Sequence, residues 1–465
     1  MVSLTPNPSY SLTIRMHVPN QTGMLAKVTQ AIAEAGGNLG DIDVVERCRT
    51  NVTRDVSVDA ASAEHAEKIL NAIYGLEDIE VVKVHDRTFK LHEGGKIRME
   101  CKAPVRSQED LAMAYTPGVG RVCSEIAKHP ERVHDLTIKS NTVAIITDGS
   151  AVLGLGNLGP AGALPVMEGK AMLFKEFAGL DGFPICLDTQ DTDEIIETIK
   201  RIAPVFGGIN LEDISAPRCF EIEARLQKEL DIPIFHDDQH GTAIVSLAAL
   251  VNALKVVGKE PQIGEIKLVI NGAGAAGLAM ARLFQKAGVN HITVCDSKGI
   301  ISRDRTDLNS RKQEFVVDQS GTLADAMVGT DVFMGVSAPG VVTVDMVKSM
   351  AKDPIVFAMA NPIPEIQPEL LDGIVAVMAT GRSDYANQIN NVLAFPGLLR
   401  GAIDCRAEAI TTSMFLHAAH AIATLIPDSE LRPDNIVPSV FDKRVAIAVA
   451  GAVKQAARDA SVAHN

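Results

Sequence analysis

The sequence predicts an α/β protein: a small ferredoxin-like unit, then an α/β domain, then a Rossmann-type domain. Three observations predict it. A βαββαβ pattern fills the first ~90 residues. Strand and helix patterns alternate after that, as in a parallel sheet with crossover helices. A Gly-x-Gly-x-x-Gly turn at Gly272 lies between a strand and a helix. The length of 465 residues suits this, since domains usually hold ~100–200 residues.

The elements follow in order. Tyr10 to Val18 alternates, with Leu12, Ile14, Met16 and Val18 on one side, as in a half-buried strand. A turn at 19–23 leads to a helix with Leu25, Val28 and Ile32 on one face, stopped by Gly36-Gly37. Strands are expected around 42–45 and 52–58, a helix through Ala66, Ile69 and Ile73, and a last strand at 79–84. Residues 91–104, with His92-Glu93-Gly94-Gly95-Lys96, read as a linker. The next domain is placed at 105–240 and the Rossmann domain at 241–465.

Composition excludes several functions. The charge of -14 disfavours nucleic-acid binding, and no basic cluster offsets it. No apolar stretch approaches the ~18 residues of a membrane span; Ala243 to Leu254, the nearest, is broken by Ser246 and Asn252. Met1 to Tyr10 lacks the basic and apolar parts of a secretory signal. Seven scattered cysteines without Cys-x-x-Cys point to free thiols in the cytoplasm.

Gly-x-Gly-x-x-Gly occurs twice. In the copy Gly272-Ala273-Gly274-Ala275-Ala276-Gly277, a strand precedes, a helix follows, and a second strand ends in Asp296, nineteen residues after Gly277. That is the dinucleotide fingerprint: glycines let the backbone approach a pyrophosphate, and the acid meets the adenosine ribose. Asp296 favours NAD, while Lys298 keeps NADP possible. The copy from Gly154 to Gly159 is followed at once by Pro160. Here the next helix is expected only from Pro165, so this copy reads as a close-packed loop near a site.

Within the helix expected over 165–178, Val166, Lys170, Leu173 and Phe177 share one face. A lysine on an apolar stripe tends to lose its proton and can act as a general base. It can also snorkel to water. Glu212-Asp213 and Asp237-Asp238 each follow a strand pattern. Carboxylates gathered at strand ends call for a hard divalent cation, Mg²⁺ or Mn²⁺; two unrelated solvated pairs are the other reading. His236 and His240 flank the second pair and read as supporting or structural.

Two resemblances emerge from these residues. Val18-Pro19-Asn20-Gln21-Thr22-Gly23-Met24-Leu25, with Gly36-Gly37-Asn38, resembles an ACT domain. The resemblance implies a small-effector site at Asn20, Gln21, Gly23 and Met24, although a module that only dimerises is also open. Ala114-Tyr115-Thr116-Pro117-Gly118-Val119, the 147–159 loop, Lys170, Glu212-Asp213, 236–243, Ala360-Asn361-Pro362, Asn390-Asn391 and Phe395-Pro396-Gly397 resemble the malic enzyme family. These matches run in order from about 105 to 405.

The malic enzyme resemblance implies oxidative decarboxylation of L-malate to pyruvate and CO₂ with NAD or NADP. Glu212, Asp213 and Asp238 would hold the metal. Lys170 would be the base, Tyr115 the acid for the enol, and Asp237 the support for metal and lysine. Asn361 and Asn391 would touch the substrate, and Asn361 the nicotinamide end as well. A homodimer or homotetramer is implied too. One departure stands out. Larger family members carry a carboxylate-gripping arginine where this chain has Ser150-Ala151. Two other functions compete: an ACT-regulated amino-acid dehydrogenase, which needs no carboxylate cluster, and a non-catalytic regulatory paralogue.

Overall fold

The structure, a computed structural model, describes residues 5–464. Two compact units divide between Arg98 and Met99.

The first unit is a four-stranded antiparallel sheet with two helices. Its strand order is Asn38–Arg47, Asn51–Ala60, Asn7–Pro19, Glu80–Asp86. The alternation in the first strand does what its period dictates: Leu12, Ile14, Met16 and Val18 are buried. They meet Val28 and Ile32 of helix Met24–Glu34 and Ile69 and Ile73 of helix Ala63–Tyr74 in one core. Ser62 caps the second helix by accepting from the His65 N–H.

The second unit holds two sheets. One is fully parallel, in the order Asp181–Cys186, Thr142–Thr147, Gly208–Leu211, Ile234–His236. The other runs Gly299–Ile300, His291–Asp296, Lys267–Asn271, Val332–Gly335, Ile355–Ala358, Val377–Thr380. It is parallel except for the short 299–300 hairpin strand.

Helix Asp237–Val256 is buried along most of its length. Its Leu247 and Leu250 share one core with Ile145 and Leu211 of the first sheet and Leu268 and Ile270 of the second. The polar breaks in its apolar run belong to this packing. Asn252 is buried and donates to the Ala423 and Ile436 carbonyls at 3.0 and 2.9 Å. Among the described residues no helix is long and apolar enough to cross a membrane.

One expected boundary is wrong. The helix expected from Pro165 begins six residues earlier, as Gly159–Ala178, with Pro160 in its first turn and Pro165 inside it. Pro160 is therefore compatible with the first turn instead of excluding it, because a first-turn proline lacks only an N–H that has no partner anyway. The first glycine copy thus does open a helix. It is also close-packed: a Cβ on Gly149 would lie 2.2 Å from the Gly159 carbonyl oxygen. The stripe on this helix shifts too. Ala163, Met167, Ala171 and Phe174 are fully buried, while Val166, Leu173 and Phe177 are partly so.

Candidate active site

Parallel sheets present their sites at the carboxyl ends of the strands, and this chain does so three times in one sheet. Thr147 ends one strand and leads into Asp148-Gly149-Ser150. Leu211 ends the next and leads into Glu212-Asp213. His236 ends the third, and Asp237-Asp238 open the long buried helix. Asp213 adopts a left-handed backbone (φ 54°), uncommon for a residue other than glycine. The Asp213 N–H donates to Asp238 Oδ2 at 2.8 Å, and its own carbonyl accepts from the Ala151 N–H at 3.0 Å. Both acid pairs and the 148–153 loop are thereby tied together.

Ligand atoms of Glu212, Asp213 and Asp238 lie within 4.8 Å of one another. Asp213 Oδ2 is buried without a hydrogen-bond partner. Burial, then the neighbouring Asp238 charge, pushes the Asp213 carboxyl up to about 7. Glu212 is also held well above its ordinary value, first by burial and then by the surrounding aspartates, against the pull of Lys170. Asn210 donates to Glu212 Oε2 at 2.8 Å and fixes its orientation. Three oxygen ligands at this spacing, with an orphaned buried oxygen, fit a hard divalent cation.

Lys170 comes from the neighbouring helix. Its Nζ donates to Asp237 Oδ2 at 2.6 Å, lies 2.9 Å from Glu212 Oε1 and sits 4.2 Å above the centre of the Phe395 ring. Its side chain is 10% exposed, so snorkelling does not describe it. The expected lowering of its pKa is also overturned. Burial does pull Lys170 down, but Asp237 and Glu212 outweigh it and hold the ammonium above its ordinary range. Spacing revealed the apolar stripe but not the two carboxylates facing it.

Asn391 donates to Asp237 Oδ2 at 3.2 Å and accepts from the Thr242 hydroxyl at 3.1 Å, so it joins the lysine cluster. Asn361 begins a cis peptide bond to Pro362, and a Cβ on Gly154 would lie 4.0 Å from its carbonyl oxygen. Tyr115 is not in the cluster. It caps helix Gln108–Ala114 and is 67% exposed. The arginine at the Ser150 loop is Arg218. Its guanidinium binds Asp148 Oδ2 at 2.8 Å and the Ser150 and Ser215 hydroxyls at 3.0 and 3.1 Å. His236 is buried, its ring nitrogens make no hydrogen bond and Nδ1 lies 3.9 Å from Asp238 Oδ2, while His240 bonds to the buried Glu223 at 2.9 Å.

The glycine turn at the second sheet is a cradle. A Cβ on Gly272 would lie 2.4 Å from the Val336 carbonyl oxygen, and one on Gly277 only 1.8 Å from that of Gly272. Nothing lies within 4 Å of a Cβ on Gly274, where the backbone opens onto the space before helix Ala275–Lys286. Ala275 and Ala276 supply its first N–H groups. Across the strand ends, buried Glu365 accepts from the Ser337 N–H at 2.9 Å and the Ala360 N–H at 3.0 Å. It links the loop after Gly335, which borders the turn at Val336, to the loop after Ala358. Sequence reading missed Glu365, although it follows the quoted Asn361-Pro362 by only a few residues.

In the first unit, Gly23 takes a left-handed conformation (φ 89°) where helix Met24–Glu34 begins. Asn20 donates to the Cys48 carbonyl at 3.2 Å, Gln21 is exposed and Met24 is buried.

A phosphate-cradling turn on one sheet and a lysine–carboxylate cluster on the other define a dinucleotide-dependent oxidoreductase. Comparison with known proteins makes this specific. Residues 94–227 match the malic enzyme N-terminal domain, 239–372 and 373–458 its NAD-binding domain, and 12–78 the ACT domain. The chain belongs to the malic enzyme family. It is 53% identical to the NAD-dependent malic enzyme of Geobacillus stearothermophilus, over 99% of this chain and 97% of that one. It is also 53% identical to the bifunctional malic/malolactic enzyme of Bacillus subtilis (strain 168), over 82% and 95%. Among solved structures, malic enzyme from Pyrococcus horikoshii matches with a TM-score of 0.78 at 45% identity, covering 82% of this chain and 92% of that one. The NAD-dependent malic enzyme of Thermotoga maritima gives 0.76 at 46%, covering 80% and 99%.

Proposed function

We propose that the chain oxidatively decarboxylates L-malate to pyruvate and CO₂ with NAD, using Mg²⁺ or Mn²⁺ held by Glu212, Asp213 and Asp238. The observation that carries it is Lys170, buried against Asp237 and beside Glu212. A cation held there would supply Lewis acidity at the C2 oxygen, and a nicotinamide at the glycine turn would supply the hydride acceptor. Lys170 serves as the base for the C2 hydroxyl proton. Asp237 and Glu212 hold it as the ammonium, so it must give up that proton first; a cation held by Glu212 would weaken this hold. Asp237 holds Nζ in place, and Asn391 holds Asp237. Tyr115 returns a proton to C3.

Tyr115 stands on a strip that the described residues of its own unit leave exposed. Helices Gln108–Ala114 and Gly118–Lys128 bury no residue, and Leu111, Met113 and Tyr115 are exposed. This supports a homo-oligomer in which a second copy covers the strip, and Tyr115 depends on that cover to reach substrate. Seven free cysteines support a reducing compartment such as the cytoplasm. The turn at Asn20, Gln21, Gly23 and Met24 is the proposed effector site.

A steady-state assay with L-malate, NAD or NADP and Mn²⁺, repeated with an amino-acid panel, tests the reading. Malate-dependent, metal-dependent NADH formation is expected. Metal-free oxidation of an amino acid favours the amino-acid dehydrogenase instead, and no turnover of malate under any metal condition favours a non-catalytic role.

A further inference from the structure

The dinucleotide fingerprint assigns the acid ending its second strand to the adenosine ribose hydroxyls. In this chain that acid, Asp296, is already fully engaged. Oδ1 accepts from Arg305 Nη1 at 2.8 Å and the Lys298 N–H at 3.0 Å. Oδ2 accepts from Lys312 Nζ at 2.6 Å and Arg305 Nη2 at 3.0 Å. An ionised carboxylate offers about four lone-pair sites, and four donors occupy them. The group is not open to water either: the side chains of Asp296 and Arg305 are 11% and 13% exposed. Asp307 completes the cluster, accepting from Arg305 Nε at 3.0 Å and Lys298 Nζ at 2.7 Å.

We infer that Asp296 is an ionic latch that sets cofactor choice by occupying Arg305 and Lys312, rather than an acceptor for the ribose 2′-hydroxyl. The inference rests on dinucleotide binding at the Gly272–Gly277 turn. Arg305 and Lys312 are the groups that recognise a phosphate dianion, the first through its planar fork and the second as a point charge. Bound to Asp296, they cannot turn to a 2′-phosphate without breaking charge-assisted bonds. Both NAD preference and the capacity for NADP therefore reside in one cluster. Three cations, Lys298, Arg305 and Lys312, surround two carboxylates, so removing one carboxylate frees positive charge where the 2′-phosphate would sit.

The test is equilibrium binding of NADH and NADPH to the full chain, read by cofactor fluorescence against a protein without tryptophan. The variants are Asp296→Ser, Asp296→Ser with Arg305→Ala, and Arg305→Ala alone. Freeing one or two charge-assisted donors is worth roughly tenfold or more in affinity. Asp296→Ser should therefore tighten NADPH at least ~tenfold while moving NADH less than ~threefold. Adding Arg305→Ala should remove most of that gain. Arg305→Ala alone unfills part of the Asp296 carboxylate and should tighten NADH and weaken NADPH, which keeps the test open if the serine variant does not fold. Asp296→Ser that weakens NADH ~tenfold with NADPH unchanged makes Asp296 a direct ribose acceptor and overturns the latch. Unchanged affinities for both also overturn it. A wild-type chain that binds neither cofactor overturns the dinucleotide reading instead.

Discussion

Lys170 Nζ lies 2.6 Å from Asp237 Oδ2, while Asp237 Oδ1, on the same fully buried side chain, has no hydrogen-bond partner. One contact therefore carries two loads: it aims the base, and it neutralises a buried carboxylate. Lys170→Ala is expected to abolish malate oxidation, by at least ~10³-fold for a lost general base that also orients substrate, while NADH binds within ~twofold of wild type. It should also destabilise the protein by ~3–5 kcal/mol, because the buried Asp237 and Glu212 both lose the cation that faces them. Lys170→Met with Asp237→Asn separates the loads. Thermal unfolding should recover toward wild type, and activity should not. Wild-type turnover by either variant removes Lys170 from the mechanism.

Asp238 differs from Glu212 and Asp213 in being partly open to solvent. It also shapes Asp213 through the N–H bond at 2.8 Å. Asp238→Asn keeps an acceptor for that N–H and removes one negative ligand. Mn²⁺ affinity, followed by electron paramagnetic resonance of the free ion, should fall by at least ~tenfold, with thermal stability without added metal unchanged or improved, since a like charge is gone. Unchanged Mn²⁺ affinity excludes Asp238 from the ligand set.

The glycines of the nucleotide turn are not equivalent. A Cβ at Gly277 would collide with the Gly272 carbonyl oxygen at 1.8 Å, so Gly277→Ala must displace the turn or the helix. Loss of folded protein or a marked fall in melting temperature is the expected result. Gly274 has an extended backbone (φ -92°) that alanine adopts freely, and its Cβ would meet open space. Gly274→Ala should therefore fold like wild type and still bind NADH at least ~tenfold more weakly, because the methyl occupies the approach of the pyrophosphate. Calorimetry on the same two variants checks both halves. Normal NADH binding by Gly274→Ala places the pyrophosphate elsewhere.

What the sequence made legible was whatever depends on period and local order. The alternation of Leu12 to Val18 foretold a strand with those side chains inside, and the spacing from Gly277 to Asp296 foretold the two strands and helix between them. The two pairs Glu212-Asp213 and Asp237-Asp238 could be set at strand ends from local order, but the choice of Glu212, Asp213 and Asp238 among them rests on the malic enzyme resemblance. Contacts between distant segments were not legible. Lys170 was placed on an apolar stripe, yet its proton affinity is set by Asp237 and Glu212, which lie 67 and 42 positions away and outweigh burial. Asp296 looked free, since nothing local shows that Arg305 and Lys312 fold back onto it. The start of the helix at Gly159 is not legible because Pro160 reads locally as a barrier, whereas in a first turn it lacks only an N–H that has no partner.

The Asp296 cluster also makes a statement about pH. Burial raises the Asp296 carboxyl, but hydrogen bonds from Arg305 and Lys312 and the Lys298 N–H outweigh it and bring it down to about 2. Arg305 moves the other way, above its ordinary range, through its bonds to Asp307 and Asp296. A carboxylate lowered in this way contributes stability that is complete above its ordinary value near 3.8 and is lost as pH falls through about 2. Asp307, on the other side of Arg305, is likewise held below the usual carboxylate range by its bonds from Arg305 and Lys298. The latch should therefore not titrate between about pH 5.5 and 9. The measurement is the NADH dissociation constant of wild type divided by that of Asp296→Asn, taken across this range so that protonation elsewhere cancels. A flat ratio is expected. An inflection near neutrality would mean that the carboxylate is released from Arg305 and Lys312 in solution, and the ion pairs would not be what holds it.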